Sequence, residues 1–336
     1  MDTKLFSQIN TTISVKETNL ITSEQFQKMI EAESKDQLAH LLQATPYHLS
    51  SADLDNLDVI DDVLMKSLEC VYQWAFEETP EKSIVTIFSL RYVYHNIKVL
   101  LKMKATKQEL SSLLIAIGDK PTEALQHLVS TLSSDFFPDF MIEELKSIWA
   151  EYEDYEDIRV LEVGADLAYF KHLKKLASEL DEPVLQEFVT LIIDFYNVIT
   201  VKRAKAQKKP RSFMQQLLSD SGSLTAKEFI EVVEGEDMIS WFNQINPNSV
   251  TISLKDYEDK MRQGTITAVE LEYLCDLMQF QLLEQANYTV EGPLVLAYYL
   301  LCREFEVKNL RLLLSAVSNG LPQEFVKERM RPIYGQ

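Results

Sequence analysis

Two short patterns each recur three times along this chain. A sequence that repeats folds as copies of one supersecondary unit, because no copy can bury its apolar face alone. The first pattern joins aromatic and polar residues to an asparagine and then to apolar residues. It reads Arg91-Tyr92-Val93-Tyr94-His95-Asn96-Ile97, Asp194-Phe195-Tyr196-Asn197-Val198 and Glu304-Phe305-Glu306-Val307-Lys308-Asn309-Leu310. Each asparagine stands 14 to 16 residues after a proline, namely Pro80, Pro183 and Pro293. The second pattern opens a short helix. Thr22 is followed by Phe26, Met29 and Ile30, and Thr225 by Phe229, Val232 and Val233. Thr106 keeps the frame more weakly with Leu110, Leu113 and Leu114. A threonine N-cap accepts a bond from a free N–H of the first turn, and Gln25 completes a capping box with Thr22. Three units of about a third of the 336 residues follow, with boundaries at 1–105, 106–215 and 216–336. Each is expected to be a short helix or two followed by an antiparallel helical hairpin.

The rest of the chain reads as helix. Leu54, Leu57, Asp61, Leu64, Leu68, Val71 and Ala75 follow steps of three and four with one acidic interruption, and Leu167, Phe170, Leu173, Leu176 and Leu180 follow such steps without one. No alternating run is flanked by Asn-Gly or Asp-Gly. Only 8 glycines are present, far below the roughly 7% usual for globular chains. Hairpin turns and phosphate-binding loops both need glycine, which argues against an all-β or dinucleotide-binding fold. The fold class is therefore all-α.

Composition narrows the function. Acidic residues outnumber basic ones, 52 to 33, for a net charge of −19. Phosphate backbones repel such a chain, so nucleic acid is excluded as a partner. Cys70, Cys275 and Cys302 are scattered and odd in number, which gives no disulfide framework or metal knuckle. The histidines His40, His48, His95, His127 and His172 form no HExxH pair. No nucleophile elbow or phosphate loop occurs, so no catalytic, cofactor-binding or metal residue is assigned. Residues 1–10 carry no secretory signal, and the apolar runs stop at Asp194 and Arg303, short of the roughly 20 residues a span requires. A terpenoid-type magnesium enzyme would also be helical and acidic. However, Asp58, Asp61 and Asp62 miss the DDxxD spacing, with Met65 and Lys66 where an aspartate would stand.

Two features remain as candidate sites. Asn96, Asn197 and Asn309 stand inside helices, where asparagine competes with the backbone for hydrogen bonds. A shared structural role, such as bonding a neighbouring helix end, accounts for the recurrence. Arg203, Lys205, Lys208, Lys209 and Arg211 form a small positive island on a negative protein, a candidate partner contact. Its bases also lie where a helix C-terminus favours cations. The acidic stretch from Glu151 to Asp157 reads as a solvated helix end.

The run Glu304-Phe305-Glu306-Val307-Lys308-Asn309-Leu310-Arg311-Leu312-Leu313-Leu314-Ser315, followed by Asn319-Gly320-Leu321-Pro322 and Glu328-Arg329, resembles the C-terminal signature of one family. That family is the central-stalk C subunit of V/A-type ATPases, whose eukaryotic V-ATPase form is the d subunit. Leu20-Ile21-Thr22-Ser23 and Leu41-Leu42-Gln43-Ala44-Thr45-Pro46-Tyr47 are similar to the same family. The resemblance implies three similar helical subdomains around a pseudo-threefold axis, forming a funnel. It implies a non-catalytic socket between the rotating shaft of the ATPase head and the membrane rotor ring of proteolipid subunits. The protein would be peripheral on the cytoplasmic side, without cofactor. A free-standing helical-repeat scaffold is the alternative reading.

Overall fold

The computed structural model describes residues 3–235, 237–245, 254–289 and 291–335. Among the described residues the regular structure is helical throughout, with no strand. The chain forms two compact units. One runs from Thr86 to Cys275, and the other joins the chain before Thr86 to the chain from Asp276 onward.

Local chemistry sets the helix starts. Thr22 and Thr225 each cap a helix with a complete capping box. The Gln25 N–H donates to Thr22 Oγ1 at 3.2 Å, and the Thr22 N–H donates to Gln25 Oε1 at 2.8 Å. Glu228 serves Thr225 in the same way. Thr106 departs from the expected pattern. It is the last residue of the helix Lys82–Thr106, and its hydroxyl donates back to the Lys102 carbonyl. The helix ends at the point where the frame predicts a start, and the residues that follow, 107–110, are not helical. A further cap, Thr267 with Glu270, opens the helix Ala268–Glu284 and lies outside both repeated patterns.

In the first unit the helices Asp139–Tyr155, Ile158–Glu179 and Pro183–Ala206 pack in succession, and Ala226–Glu234 lies on the last of them. Their shared interior holds Leu145, Leu161, Leu173, Phe188, Val198 and Phe229. Pro183–Ala206 is long and apolar enough, by length and composition, to cross a membrane, although its sequence is broken by Asp194. Most of its apolar surface is buried against neighbouring helices, together with Asp194 and Asn197, so its hydrophobicity is used inside the unit. Burial pushes the Asp194 carboxyl up, and bonds from the Ser223 N–H and hydroxyl pull it back. Gly222 allows this approach, since a Cβ there would collide with the Asp194 carboxylate.

In the second unit, helix Leu57–Glu78 packs along Leu294–Ser318, far away in sequence. The pairs Asp61–Arg311, Ser67–Arg303 and Trp74–Tyr299 run in opposite order along the two helices, so they are antiparallel. The hairpin pattern predicts the sequence neighbour as the partner of Leu57–Glu78. Tertiary packing brings the helix Leu294–Ser318, near the end of the chain, to it, a contact that the hairpin pattern does not foresee. Helix Ser7–Lys16 also lies on Leu294–Ser318, and Gln323–Lys327 lies on Ser23–Ile30.

Replacing an N-cap threonine typically costs about 1 kcal/mol. Thr225→Ala is therefore expected to lower the stability of the folded chain by about that amount in urea unfolding, while Thr106→Ala, which removes no cap, changes it by only a few tenths of that. Equal losses at the two positions would contradict the assignment of Thr106 to a helix end.

Candidate functional site

The three asparagines make one and the same contact. Asn96 donates through Nδ2 to the Ile115 carbonyl at 2.7 Å and accepts the Ile115 N–H at 2.8 Å. Asn197 does this with Ser219 at 2.8 and 2.9 Å, and Asn309 with Arg331 at 3.0 and 2.7 Å. In each case a carboxamide holds both polar groups of a single residue 19 or 22 positions further on. That residue follows a short helix, Ser111–Leu113, Arg211–Leu217 or Gln323–Lys327. The asparagines are 0–2% exposed, and each lies past the middle of a helix of 24 or 25 residues. A buried carboxamide needs partners, and here a buried or half-buried peptide group supplies both its donor and its acceptor.

The most charged part of the recurring pattern is also deeply buried. Arg303, Glu304 and Glu306 are each about 4% exposed on a helix otherwise rich in leucine. Glu306 Oε1 accepts from Arg303 Nη1 at 2.6 Å and from the Tyr47 hydroxyl at 2.7 Å. Its Oε2 accepts the Ile21 N–H at 2.6 Å. Arg303 Nη2 donates to Ser67 Oγ at 3.1 Å, and the Tyr72 hydroxyl donates to Glu304. Burial pushes the Glu306 carboxyl up, while Arg303, Ile21 and Tyr47 pull it down. Burial likewise drives the Tyr47 hydroxyl well above its usual range, so it remains a donor. Glu306 thus holds together the two stretches that carry the N-terminal resemblance, around Ile21 and Tyr47. No local pattern in the sequence connects the three residues. Three charges inside an apolar helical run were the available signal, because buried charges need partners.

Close by along the same helix, Lys308 and Arg331 both reach Asp276, with Nζ–Oδ1 at 3.0 Å and Nε–Oδ2 at 2.8 Å. The third asparagine clamp is therefore braced by an ion-pair network that includes the clamped residue, Arg331, itself.

The basic island divides into two parts. Arg203 pairs with Glu272, Arg211 with Glu234, and Lys205 donates to the Val233 carbonyl near the end of helix Ala226–Glu234. Lys208 and Lys209 are exposed at the turn after Pro183–Ala206, with Lys209 over the Phe213 ring. Lys208 holds the left-handed conformation that ends the helix, at φ +56°. Asp61, which invited comparison with a magnesium motif, pairs with Arg311. Among the described residues no group of three or more His, Cys, Asp or Glu side chains converges as a metal would need.

Breaking one clamp leaves a buried N–H and a buried C=O without partners, at about 1–3 kcal/mol each. Asn197→Ala is thus expected to cost about 2–5 kcal/mol in chemical denaturation, and Asn197→Asp, which sets a buried, unpaired carboxylate against the Ser219 carbonyl, at least as much. A change within about 0.5 kcal/mol for Asn197→Ala would show that the clamp does not hold this segment.

The family model described as ATP synthase (C/AC39) subunit matches residues 9–329, which include all three asparagines and their partners at 115 and 219. The C subunit of the V-type sodium ATPase of Enterococcus hirae is 31% identical over 336 residues, covering 98% of this chain and 99% of that protein. The C subunits of the A-type ATP synthases of Pyrococcus abyssi and Thermococcus gammatolerans are 23% and 24% identical, each covering 96% of this chain and 89% of the relative. With a match that runs nearly from end to end, the chain belongs to the ATP synthase (C/AC39) subunit family, as an accessory component of an ATPase complex rather than a catalytic enzyme.

Proposed function

We propose that this protein is the socket of the central stalk in a V/A-type ATPase. It seats the shaft of the soluble head and passes its rotation to the membrane ring of proteolipid subunits, from the cytoplasmic side. In this reading the segments 1–105, 106–215 and 216–336 are three variants of one helical module around a pseudo-threefold axis, enclosing a funnel. The observation that carries the reading is the clamp. The same asparagine–peptide bond pair stands at the same place in three long helices. A module used three times can surround the end of a shaft, which a single bundle cannot.

Torque transmission needs stiffness rather than chemistry. Close-packed helices transmit strain because their interiors yield little. The clamps and the Glu306 network serve that end by fixing the segments that follow or face the long helices. A net charge of −19 favours encounter with basic faces on partner proteins. Lys208 and Lys209, the exposed part of the positive island, are the proposed contact for an acidic loop of such a partner.

The test is purification of the tagged chain from native membranes. Shaft and ring proteins are expected to co-purify, and their absence under conditions that keep the ATPase intact refutes the socket role. The double charge reversal Lys208→Glu, Lys209→Glu is expected to lower ring recovery severalfold, with the melting temperature unchanged. Undiminished recovery removes these two lysines from the contact.

A further inference from the structure

The second unit contains a solvent-open pocket of about 530 Å³ that the coupling role does not require. Its wall is formed by the helices Ser7–Lys16, Leu57–Glu78 and Leu294–Ser318 together with the turn at Pro46 and His48. Lys16, Lys66 and Arg303 line it with His48, and no described aspartate or glutamate does. On a chain with net charge −19, a concavity whose charged lining is all cationic stands out, with Arg303 paired to Glu306, Lys66 to Glu69, and Lys16 over an aromatic ring. Clefts of one charge sign concentrate the opposite ion.

The cations are held in different ways. Arg303 is 4% exposed, fixed by Glu306 through Nη1 and by Ser67 through Nη2. Its Nε–H is buried without a hydrogen-bond partner among the described residues. Lys16 lies over the Trp74 ring at 4.4 Å, a contact that leaves its ammonium donors available. Lys66 reaches Glu69 at 3.1 Å along an exposed helix face, where such a pair contributes little and is readily exchanged. Two ammonium groups on long side chains beside a fixed guanidinium suit an anion with several oxygens. Tyr299, Val63 and Val71 supply an apolar wall beside them. The volume is within the range of small-molecule sites.

We infer that this pocket binds a small soluble phosphorylated molecule, with Lys16 and Lys66 directed at its phosphoryl oxygens and Arg303, held by Glu306 and Ser67, forming the cationic back wall. A pyrophosphoryl group, with oxygens on two phosphorus atoms, fits the two lysines better than a single carboxylate.

The pocket carries its own reporter. Cys70 lines it and is exposed, whereas Cys275 and Cys302 are buried. Alkylation of Cys70 by iodoacetamide, an uncharged reagent, can be followed by mass spectrometry on the full chain. Inorganic pyrophosphate and magnesium-free ATP are the probes, with sodium chloride at matched ionic strength as control. Saturable slowing of Cys70 alkylation by either probe, absent with chloride, is expected. Lys16→Gln and Lys66→Gln, verified as folded by an unchanged melting temperature, are each expected to raise the half-protecting concentration by about tenfold, as for loss of one charge-assisted bond. Vesicles containing phosphatidic acid form a second arm. Protection by vesicles without protection by pyrophosphate or ATP overturns the soluble ligand, as does equal slowing by chloride. Protection that survives the Lys16→Gln, Lys66→Gln double variant overturns the assigned cations.

Discussion

A carboxamide in the middle of a long buried helix has to find a donor and an acceptor outside that helix, because the helix has already used its own. In this chain the requirement is met three times by one solution. Asn96, Asn197 and Asn309 each take both hydrogen bonds of one later residue. The clamp fixes where the chain goes after each long helix. The short helix between must fit inside 19 or 22 residues, and the clamped residue must lie against the parent helix. Where both halves are buried, as at Asn197 and Ser219, either without the other would be costly.

The Glu306 network applies the same logic with charge. A buried carboxylate needs its oxygens filled, and Arg303, Tyr47 and the Ile21 N–H fill them. The three donors come from the same helix, from the turn after Thr45 and from the extended stretch before Thr22. Helix Leu294–Ser318 thereby anchors parts of the chain more than 250 residues apart. Replacing one partner would strand the others, so such networks fix a unique arrangement more than they add net stability.

Both devices suit an ATPase accessory protein whose proposed task is mechanical. In that proposal, rotation passed through the protein would load its packed interfaces and not any reacting group. The residues with strongly altered acid–base behaviour are interior and structural. Asp194 bonds Ser223, and burial drives His172 down to about 4, beside Tyr94. The cation-lined pocket is different in kind, being open to solvent and built from side chains with donors to spare.

Helical class, the caps at Thr22 and Thr225, and the recurrence of three asparagines were all legible in the sequence, because each rests on local spacing or side-chain chemistry. The family was legible too, since its signature is a contiguous run. Thr106 misled, because a spacing frame does not show whether the preceding helix has ended. The pairing of Leu57–Glu78 with Leu294–Ser318 lay beyond any local pattern, as did the union of Ile21, Tyr47, Arg303 and Glu306. Local propensity decides which residues form helices and where they start. Which helices then meet depends on apolar faces and buried polar groups hundreds of residues apart finding partners, and only the tertiary structure decided that.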